Sequence, residues 1–405
     1  MRILVQKFGG TSVADIDRLK MVRGKVKAAL DQGYKVVVVL SAKSGKTNKL
    51  LDLSTRWAAE PDLAEVDSLL STGEQASIAL FSMLLKDSGI KARSMLGWQI
   101  PIITNDEFGR ARILSIDASR IHKELEAHDV LVVAGFQGST EDGRITTLGR
   151  GGSAVALAAA LDSCECEIYT DVDGVYTTDP NLCSTARKLD PVTYEEMLEM
   201  ASMGAKVLQI RSVEFAKKYN VPVHVRSTFS DDPGTLVAQE DAMMEAVLVS
   251  GIAYDKDQAR VTVCGVPDRP GVSAALFAPL SENGIMVDMI IQTASREGVT
   301  DMTFTVSRKD LEKAIQLMKE IVARIGGTGV EHDPYVAKVS VIGVGMRNHT
   351  GVATKAFAAL QQENINIQMI STSEIKISCL IDEKYTELAV RTLHDAFELH
   401  KPDHA

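Results

Sequence analysis

The chain has 405 residues, 45% of them hydrophobic and 24% charged, and a formal net charge of −10. That length exceeds one ordinary core and calls for two or three domains, and the balance is that of a soluble globular protein rather than a disordered one. The acidic charge and the lack of a dense Lys/Arg block speak against nucleic acid as a partner. The longest apolar run, Val36 to Leu40 with its flanks, is far too short for a bilayer, and the start MRILVQKFGG has no signal-peptide pattern, so the cytoplasm is the expected compartment with no membrane partner.

In chain order, ILVQKF reads as a strand followed by a helix from Val13 to Leu30. YKVVVVLS is a second strand, followed by a helix from Asn48 to Ala59, and DVLVVAGF and ECEIYTDVDGVY are further strands. Continuous Val/Leu/Ile runs bounded by Gly and Ser are strands buried on both faces, which predicts an α/β domain with a mostly parallel sheet and helices on both sides. The pattern lapses in SDDPGTLVAQEDAMME, placing the exit of this domain near Glu245 and its span at residues 1–245. Beyond it the sequence repeats: Gly271 and Gly351, like Ile285 and Ile365, are 80 positions apart. Each copy reads strand, Gly-containing turn, helix, strand, strand, helix, predicting two ferredoxin-like modules at 246–335 and 336–405. The five cysteines, Cys164, Cys166, Cys183, Cys264 and Cys379, are scattered without zinc spacing and read as reduced thiols.

The chemistry concentrates in a few segments. KFGGTSV sets Lys7 at the end of the first strand and Gly9 and Gly10 in the turn before a helix, where backbone N–H groups and a fixed positive charge can cradle phosphate; the alternative is a tight turn with a solvated lysine. SAKSGKTNKLL imitates the end of a P-loop, but the glycine required five residues before Gly45 is Leu40, which argues against a generic P-loop hydrolase. Ser41 and Thr47 still stand where parallel sheets bind ligands, unless Thr47 only caps a helix. STGEQAS places Glu74 at a helix start, in a capping or a functional role. GFQG contributes Phe136, and TTLGRGGS presents Arg150 between glycines, suited to bidentate capture of a carboxylate or phosphate or else simply exposed. YTDVDGVYTTDP gathers Thr170, Asp171, Tyr176, Asp179 and Pro180, either to orient a nucleotide and its Mg²⁺ or as a turn-rich loop. GAKVL adds Lys206.

In this order, and followed by the tandem repeats, these segments resemble the aspartate kinase family over essentially the whole chain. The resemblance implies an amino-acid-kinase fold with two ACT domains, and transfer of phosphate from ATP, with Mg²⁺, to L-aspartate, giving 4-phospho-L-aspartate and ADP. This is the first step toward lysine, threonine and methionine. An aspartate carboxylate is already an anionic nucleophile and needs no general base. By resemblance Lys7, Lys206 and Arg150 are the catalytic residues, and Lys7, Phe8, Gly9, Gly10, Ser41, Ser153, Thr170, Asp171, Tyr176, Asp179, Pro180 and Lys206 hold ATP. Ser41, Thr47, Glu74, Phe136 and Arg150 form the aspartate pocket, with Arg150 on a substrate carboxylate and Glu74 on its ammonium; no metal is held by protein alone. The family pattern GRGGSD, followed by two small residues, is cut short here, since Ala154 directly follows Ser153. The lost acid implies weakened or lost turnover, leaving an amino-acid-sensing paralogue, or compensation by an acid such as Asp171. Lys43 and Lys46 add positive charge where the family carries an apolar and an acidic residue, and Thr350 stands where proline is usual.

The same resemblance gives the repeats a sensing role. The turn from Asp268 to Gly271 can take an effector carboxylate on helix N–H groups, and Asp288 its ammonium, unless the module serves only interaction. Ser273, Met286, Val287 and Gln292 join them from the first repeat, and Val352, Ala353, Asn366, Ile367, Ser373 and Glu374 from the second. The effector, lysine or threonine or both, would bind between paired ACT modules. A homodimer or larger assembly through ACT strands is expected; a heteromer with a short chain started at Met243 or Met244 is the alternative.

Overall fold

The computed structural model describes residues 1–148, 152–163, 165–202, 207–241, 244, 247–295 and 297–401, with Asn348 by its backbone alone. The chain divides into two compact units, Met1–Val175 with Lys188–Met244, and Tyr176–Arg187 with Glu245–Ala405.

The first unit runs β1 (Ile3–Phe8), α1 (Ile16–Asp31), β2 (Lys35–Leu40), α2 (Lys46–Trp57), α3 (Leu63–Asp87), β3 (Ala92–Met95), β4 (Ile102–Thr104), β5 (Ile113–Ile116), α4 (Ala118–Ala127), β6 (Val130–Ala134), β7 (Gln137–Ser139), β8 (Ile145–Thr147), α5 (Gly152–Ala160), β9 (Cys166–Thr170), β10 (Val192–Thr193), α6 (Tyr194–Ser202), α7 (Ile210–Tyr219), β11 (Val223–Ser227) and β12 (Thr235–Ala238). Its main sheet has the order β10-β12-β11-β9-β1-β2-β6-β3. Among the described residues every pairing in it is parallel except β11 with β12. This is the α/β architecture that the unbroken apolar runs predict: Val36 to Leu40 are buried without exception because helices cover both faces. Leu4, Val36, Val38, Leu40, Val130 and Val132, at the two-residue spacing of one sheet face, pack on Val22 and Val26 of α1 and on Ile78, Phe81 and Leu85 of α3. On the other side α5 packs on β1 and β9.

Three features depart from the sequence reading. The helix carrying Glu74 begins far upstream, capped by Asp62, whose side chain accepts from the N–H groups of Ala64 and Glu65, so Glu74 lies mid-helix and caps nothing. Thr47 is no cap either: the N-cap of α2 is Gly45, without a side-chain bond. A separate four-stranded sheet, β5-β4-β7-β8, was not foreseen, because strands of three or four residues are too short to show a period.

The second unit contains β13 (Gly251–Pro267), α8 (Val272–Glu282), β14 (Val287–Gln292), β15 (Val299–Val306), α9 (Leu311–Ile325), β16 (Gly329–Ile342), α10 (Val352–Gln362), β17 (Ile367–Thr372), β18 (Lys376–Asp382) and α11 (Thr386–Ala396). All its strands form one sheet, β14-β15-β13-β16-β18-β17. The repeat is visible in detail: Gly271 and Gly351 begin α8 and α10 in the left-handed region, at φ 92° and 97°, which a residue with a Cβ adopts only with strain. The border at residue 335 needs correction. Strands β13 and β16 are shared, their inner halves pairing for one module (Val261 with His332) and their outer halves for the other (Ile252 with Val341). One apolar core is Val261, Leu276, Phe304, Met318 and neighbours; the other combines Val341, Leu360, Ile381 and Leu393 with Val249 and Ile252 from the start of the unit. The second module therefore begins before the first. The border at 245 needs a like amendment, since Tyr176–Arg187 sits with the second unit. Among the described residues no helix is long and apolar enough to cross a membrane.

Candidate active site

The parallel strands of the first unit end along one edge, and backbone bonds tie the ends together. Gly9 N–H donates to Tyr169 O at 3.3 Å, Ser41 N–H to Phe8 O at 3.2 Å, Gly135 N–H to Leu40 O at 2.9 Å and Thr228 N–H to Thr170 O at 3.0 Å. The turn after β1 then presses on the loop after β2. Ser44 N–H donates to Gly10 O at 3.1 Å, and a Cβ on Gly10 would stand 2.8 Å from Ala42 O and 3.2 Å from Ser44 N, both rigid backbone. Gly10→Ala is therefore expected to push the two loops apart, destabilising the fold by about 1–3 kcal/mol and cutting turnover more than a stability loss alone would; paired melting curves and initial rates check this.

Lys7 sits at this edge with no hydrogen-bond or ion-pair partner among the described residues. Burial lowers its pKa, with the Cys166 thiol as a smaller opposing influence. Phe8, expected among the nucleotide contacts, is instead a core residue: its ring is fully buried and stacks on Tyr169 at 4.6 Å. Only the backbone of Phe8 reaches the edge, and Ser41 N–H already occupies its carbonyl.

Glu74 projects from the middle of α3 and is 3% exposed. One carboxylate oxygen accepts from Ala42 N–H at 3.0 Å; the other is buried without a partner among the described residues. Burial pushes this carboxyl up to about 7, against the lowering effect of its backbone bonds. Gly73 permits the approach, since a Cβ there would meet the Ala42 methyl at 2.8 Å. Gly9, Gly10, Ser41 and Glu74 thus converge on one loop. Thr47 lies nearby in sequence on the first turn of α2, half-buried. Phe136 follows β6 with φ 64°, a left-handed conformation uncommon for a bulky residue, and packs on Leu50, Val66 and Leu70.

A residue missed in the sequence holds the strand leading toward Arg150. Asp67 of α3, fully buried, accepts from Thr147 N–H at 2.7 Å, from Thr147 Oγ1 at 2.5 Å and from Gly109 N–H at 2.9 Å. Its signal was a polar stripe, Asp67, Ser71, Glu74 and Ser77, at helical spacing on a face that is also buried. Arg150 and Lys206 themselves lie outside the described residues.

Of the expected nucleotide contacts, Thr170 ends β9 with Oγ1 bonded to Asp171 and to Val172 N–H, Asp171 is exposed, and Ser153 opens α5, buried. Tyr176, Asp179 and Pro180 belong to the second unit. There Asp179 accepts from Asn181 N–H at 2.9 Å and from Tyr254 Oη at 3.0 Å, and burial, followed by that bond, pushes the Tyr254 phenol up to about 12.

The expected effector residues fall into two groups. Asp268, Gly271, Ser273, Met286, Asp288 and Gln292 are exposed around α8 and β14, with Val287 half-buried. Asp288 already has a built-in cation, the ammonium of the buried Lys338 on β16. On the other repeat Val352 is buried, Ala353 and Ile367 are half-buried, and Asn366, Ser373 and Glu374 are exposed; Glu374 lies 3.8 Å from Arg347. Asn366 and Ile367 line an open groove with Phe357 and Gln361. β14 and β17 are opposite edges of the sheet, so one chain does not bring the two groups together.

This constellation can be set beside known proteins. The amino acid kinase family profile matches residues 2–227, and ACT domain profiles match 260–323 and 339–397. An aspartate kinase of Stutzerimonas stutzeri is 54% identical over 406 residues, covering 99% of this chain and 98% of that protein. The chain belongs to the aspartate kinase family. An aspartokinase of Helicobacter pylori is 50% identical over 404 residues, covering 98% of this chain and 99% of its own. Among solved aspartate kinase structures, E. coli aspartokinase III in complex with aspartate and ADP superposes with a TM-score of 0.78 at 29% identity, covering 98% of this chain and 99% of that one. The same enzyme with lysine and aspartate gives 0.76, with the same coverage. A non-catalytic sensor gains no support from relatives that are aspartate kinases along their whole length.

Proposed function

We propose that this chain is a working aspartate kinase, transferring the terminal phosphoryl group of ATP to the side-chain carboxylate of L-aspartate. One observation carries the reading: a half-buried cation, Lys7, and a buried carboxylate oxygen, on Glu74, each lack a partner among the described residues, and both belong to the set of strand ends and loops that meets at Gly10 and Ala42. Desolvated and unsatisfied charges are costly unless a ligand completes them. Phosphate oxygens complete Lys7, and a substrate ammonium completes Glu74. The nucleophile arrives ionised, so the protein's work is to place it and to balance the charge on the transferring group. Lys7 and the N–H group of Gly10 do this for the phosphates, with Lys206 joining them, while the Gly9 N–H, engaged by Tyr169 O, holds the turn in place. Arg150 fixes the carboxylate of aspartate that does not react, beside Thr47 and Phe136. Mg²⁺, carried by ATP, would shield the phosphate charge, with Asp171 the exposed carboxylate nearest in sequence to β9.

The test is aspartate-dependent release of ADP by the purified chain; no aspartate-dependent rate would overturn the reading. A second arm inserts Asp-Thr-Thr after Ser153. Because Lys7 has no carboxylate beside it among the described residues, the insertion is expected to raise kcat by roughly tenfold or more, and equal rates would remove any role from this junction.

The ACT modules are read as sensors of lysine, threonine or both, in a cytoplasmic enzyme of amino-acid biosynthesis. The two effector groups lie on opposite edges of one sheet, which favours an assembly of at least two copies, setting the β14 edge of one beside the β17 edge of another. An effector amine must also displace Lys338 from Asp288. Isothermal titration with each amino acid and sedimentation of the chain check both points; a monomer that binds effector through both groups would contradict them.

A further inference from the structure

The segment Tyr176–Arg187 leaves the first unit at Val175 and returns to it at Lys188, and between those points it groups with the sensor unit. Thr177 is the anchor. It is 1% exposed, and its three polar atoms are all engaged. Its carbonyl accepts from Ile252 N–H of β13 at 2.7 Å, and its N–H donates to Arg187 O at 2.8 Å. Its hydroxyl accepts from Arg187 N–H at 2.9 Å and shares a 2.9 Å bond with Nε2 of His394 on α11. His394 is itself fully buried. Two further bonds hold the segment: Tyr254 Oη to Asp179, and Arg391 Nε to Leu182 O at 2.8 Å.

We infer that His394, with Tyr254, is a positioning residue for nucleotide binding, setting Tyr176 and Asp179 through Thr177. The inference rests on reading Tyr176 and Asp179 as nucleotide contacts. Tyr176 is covalently next to Thr177 and Asp179 two residues beyond, so a shift of the Thr177 backbone moves both. A buried hydroxyl bonded to a buried imidazole fixes that backbone more tightly than a solvated loop would, since breaking the bond leaves the imidazole Nε2 without a partner or water. Burial lowers the pKa of this imidazole, with Asp395 opposing and Arg187 adding to the lowering; a neutral ring shares the bond with a hydroxyl without bringing a charge into the core.

The experiment measures kcat and both KM values on the full chain for His394→Leu, His394→Gln, Thr177→Val, Tyr254→Phe and Asp179→Asn. The expected result for His394→Leu and Thr177→Val is a KM for ATP raised about tenfold, a KM for aspartate within about twofold of the parent, and no rise in the double variant beyond that of Thr177→Val, because the bond that His394→Leu removes is already gone there. Glutamine, whose amide nitrogen falls near the position of Nε2, should restore most of the loss, which a purely structural role for the ring would not require. Tyr254→Phe removes one hydroxyl from a half-exposed position and is the readout that survives if His394→Leu does not fold; it should raise the KM for ATP about threefold. An unchanged KM for ATP in Tyr254→Phe and folded His394→Leu, with a raised one in Asp179→Asn, overturns the positioning role while leaving the nucleotide reading intact. An unchanged value in Asp179→Asn removes Asp179 from the nucleotide site and overturns both.

Discussion

Replacing Lys7 by methionine is expected to lower aspartate-dependent turnover by about 10²- to 10³-fold while the protein melts no earlier than the parent. Methionine keeps the length of the side chain and discards the charge, so the loss isolates what the ammonium does for the phosphates. The stability half of the expectation follows from the lowered pKa of this lysine. A lysine depressed below its ordinary 10.5 binds its proton less readily in the folded than in the unfolded chain. Between the folded and unfolded pKa values the unfolded state therefore carries more protons, and stability rises with pH across that window. At neutral pH a deficit is present, and methionine removes it. Melting curves at pH 7 and near pH 10.5 should show the advantage of the variant shrinking as pH rises. A variant retaining more than a tenth of the parent's rate would exclude Lys7 from the chemistry.

Glu74→Gln should separate binding from stability in the opposite direction. Loss of the buried charge facing the substrate ammonium is expected to raise the KM for aspartate about a hundredfold, with a far smaller effect on the KM for ATP. The carboxyl, raised from 4.5 to about 7, favours the protonated form in the folded state. Its favourable contribution is present below pH 4.5 and is lost as pH rises through about 7. Above that pH the folded protein bears an ionised carboxylate that burial disfavours, by on the order of 3 kcal/mol, and glutamine does not. The variant should thus melt above the parent at pH 8 and level with it at pH 5. Aspartate binding near pH 7 should also expel a proton from Glu74, visible as a buffer-dependent binding enthalpy in the parent and absent in the variant. A buffer-independent enthalpy in the parent would mean that the ammonium does not meet this carboxylate.

The legible parts of this molecule were those in which local chemistry and tertiary role coincide. Val36 to Leu40 could be read as a strand buried on both faces because the run is short, valine-rich and closed by Ser41, and the turn at Gly9 and Gly10 because phosphate needs bare backbone. Glu74 was found, but its setting was misjudged: it lies mid-helix rather than at a helix start, and Gly73 lets that continuous helix touch Ala42. Asp67 was passed over because a carboxylate in a helix looks like a solvated one until the strand it holds is in place. The sharing of β13 was hidden by the charged stretch Tyr254 to Gln258, which resembles a linker yet runs through the middle of a long strand whose pairing with β16 shifts register between Asp255 and Gln258. Phe8 was assigned by its neighbours, and the alternation of a strand turned its ring into the core.

The excursion of residues 176–187 alters what it means to divide this protein. A cut at the join near residue 245 severs one covalent thread, but the N-terminal fragment still carries a twelve-residue hook whose polar atoms are seated among Ile252, Tyr254, Arg391 and His394 of the other fragment. In that division the bonds of one compact unit become bonds between two polypeptides.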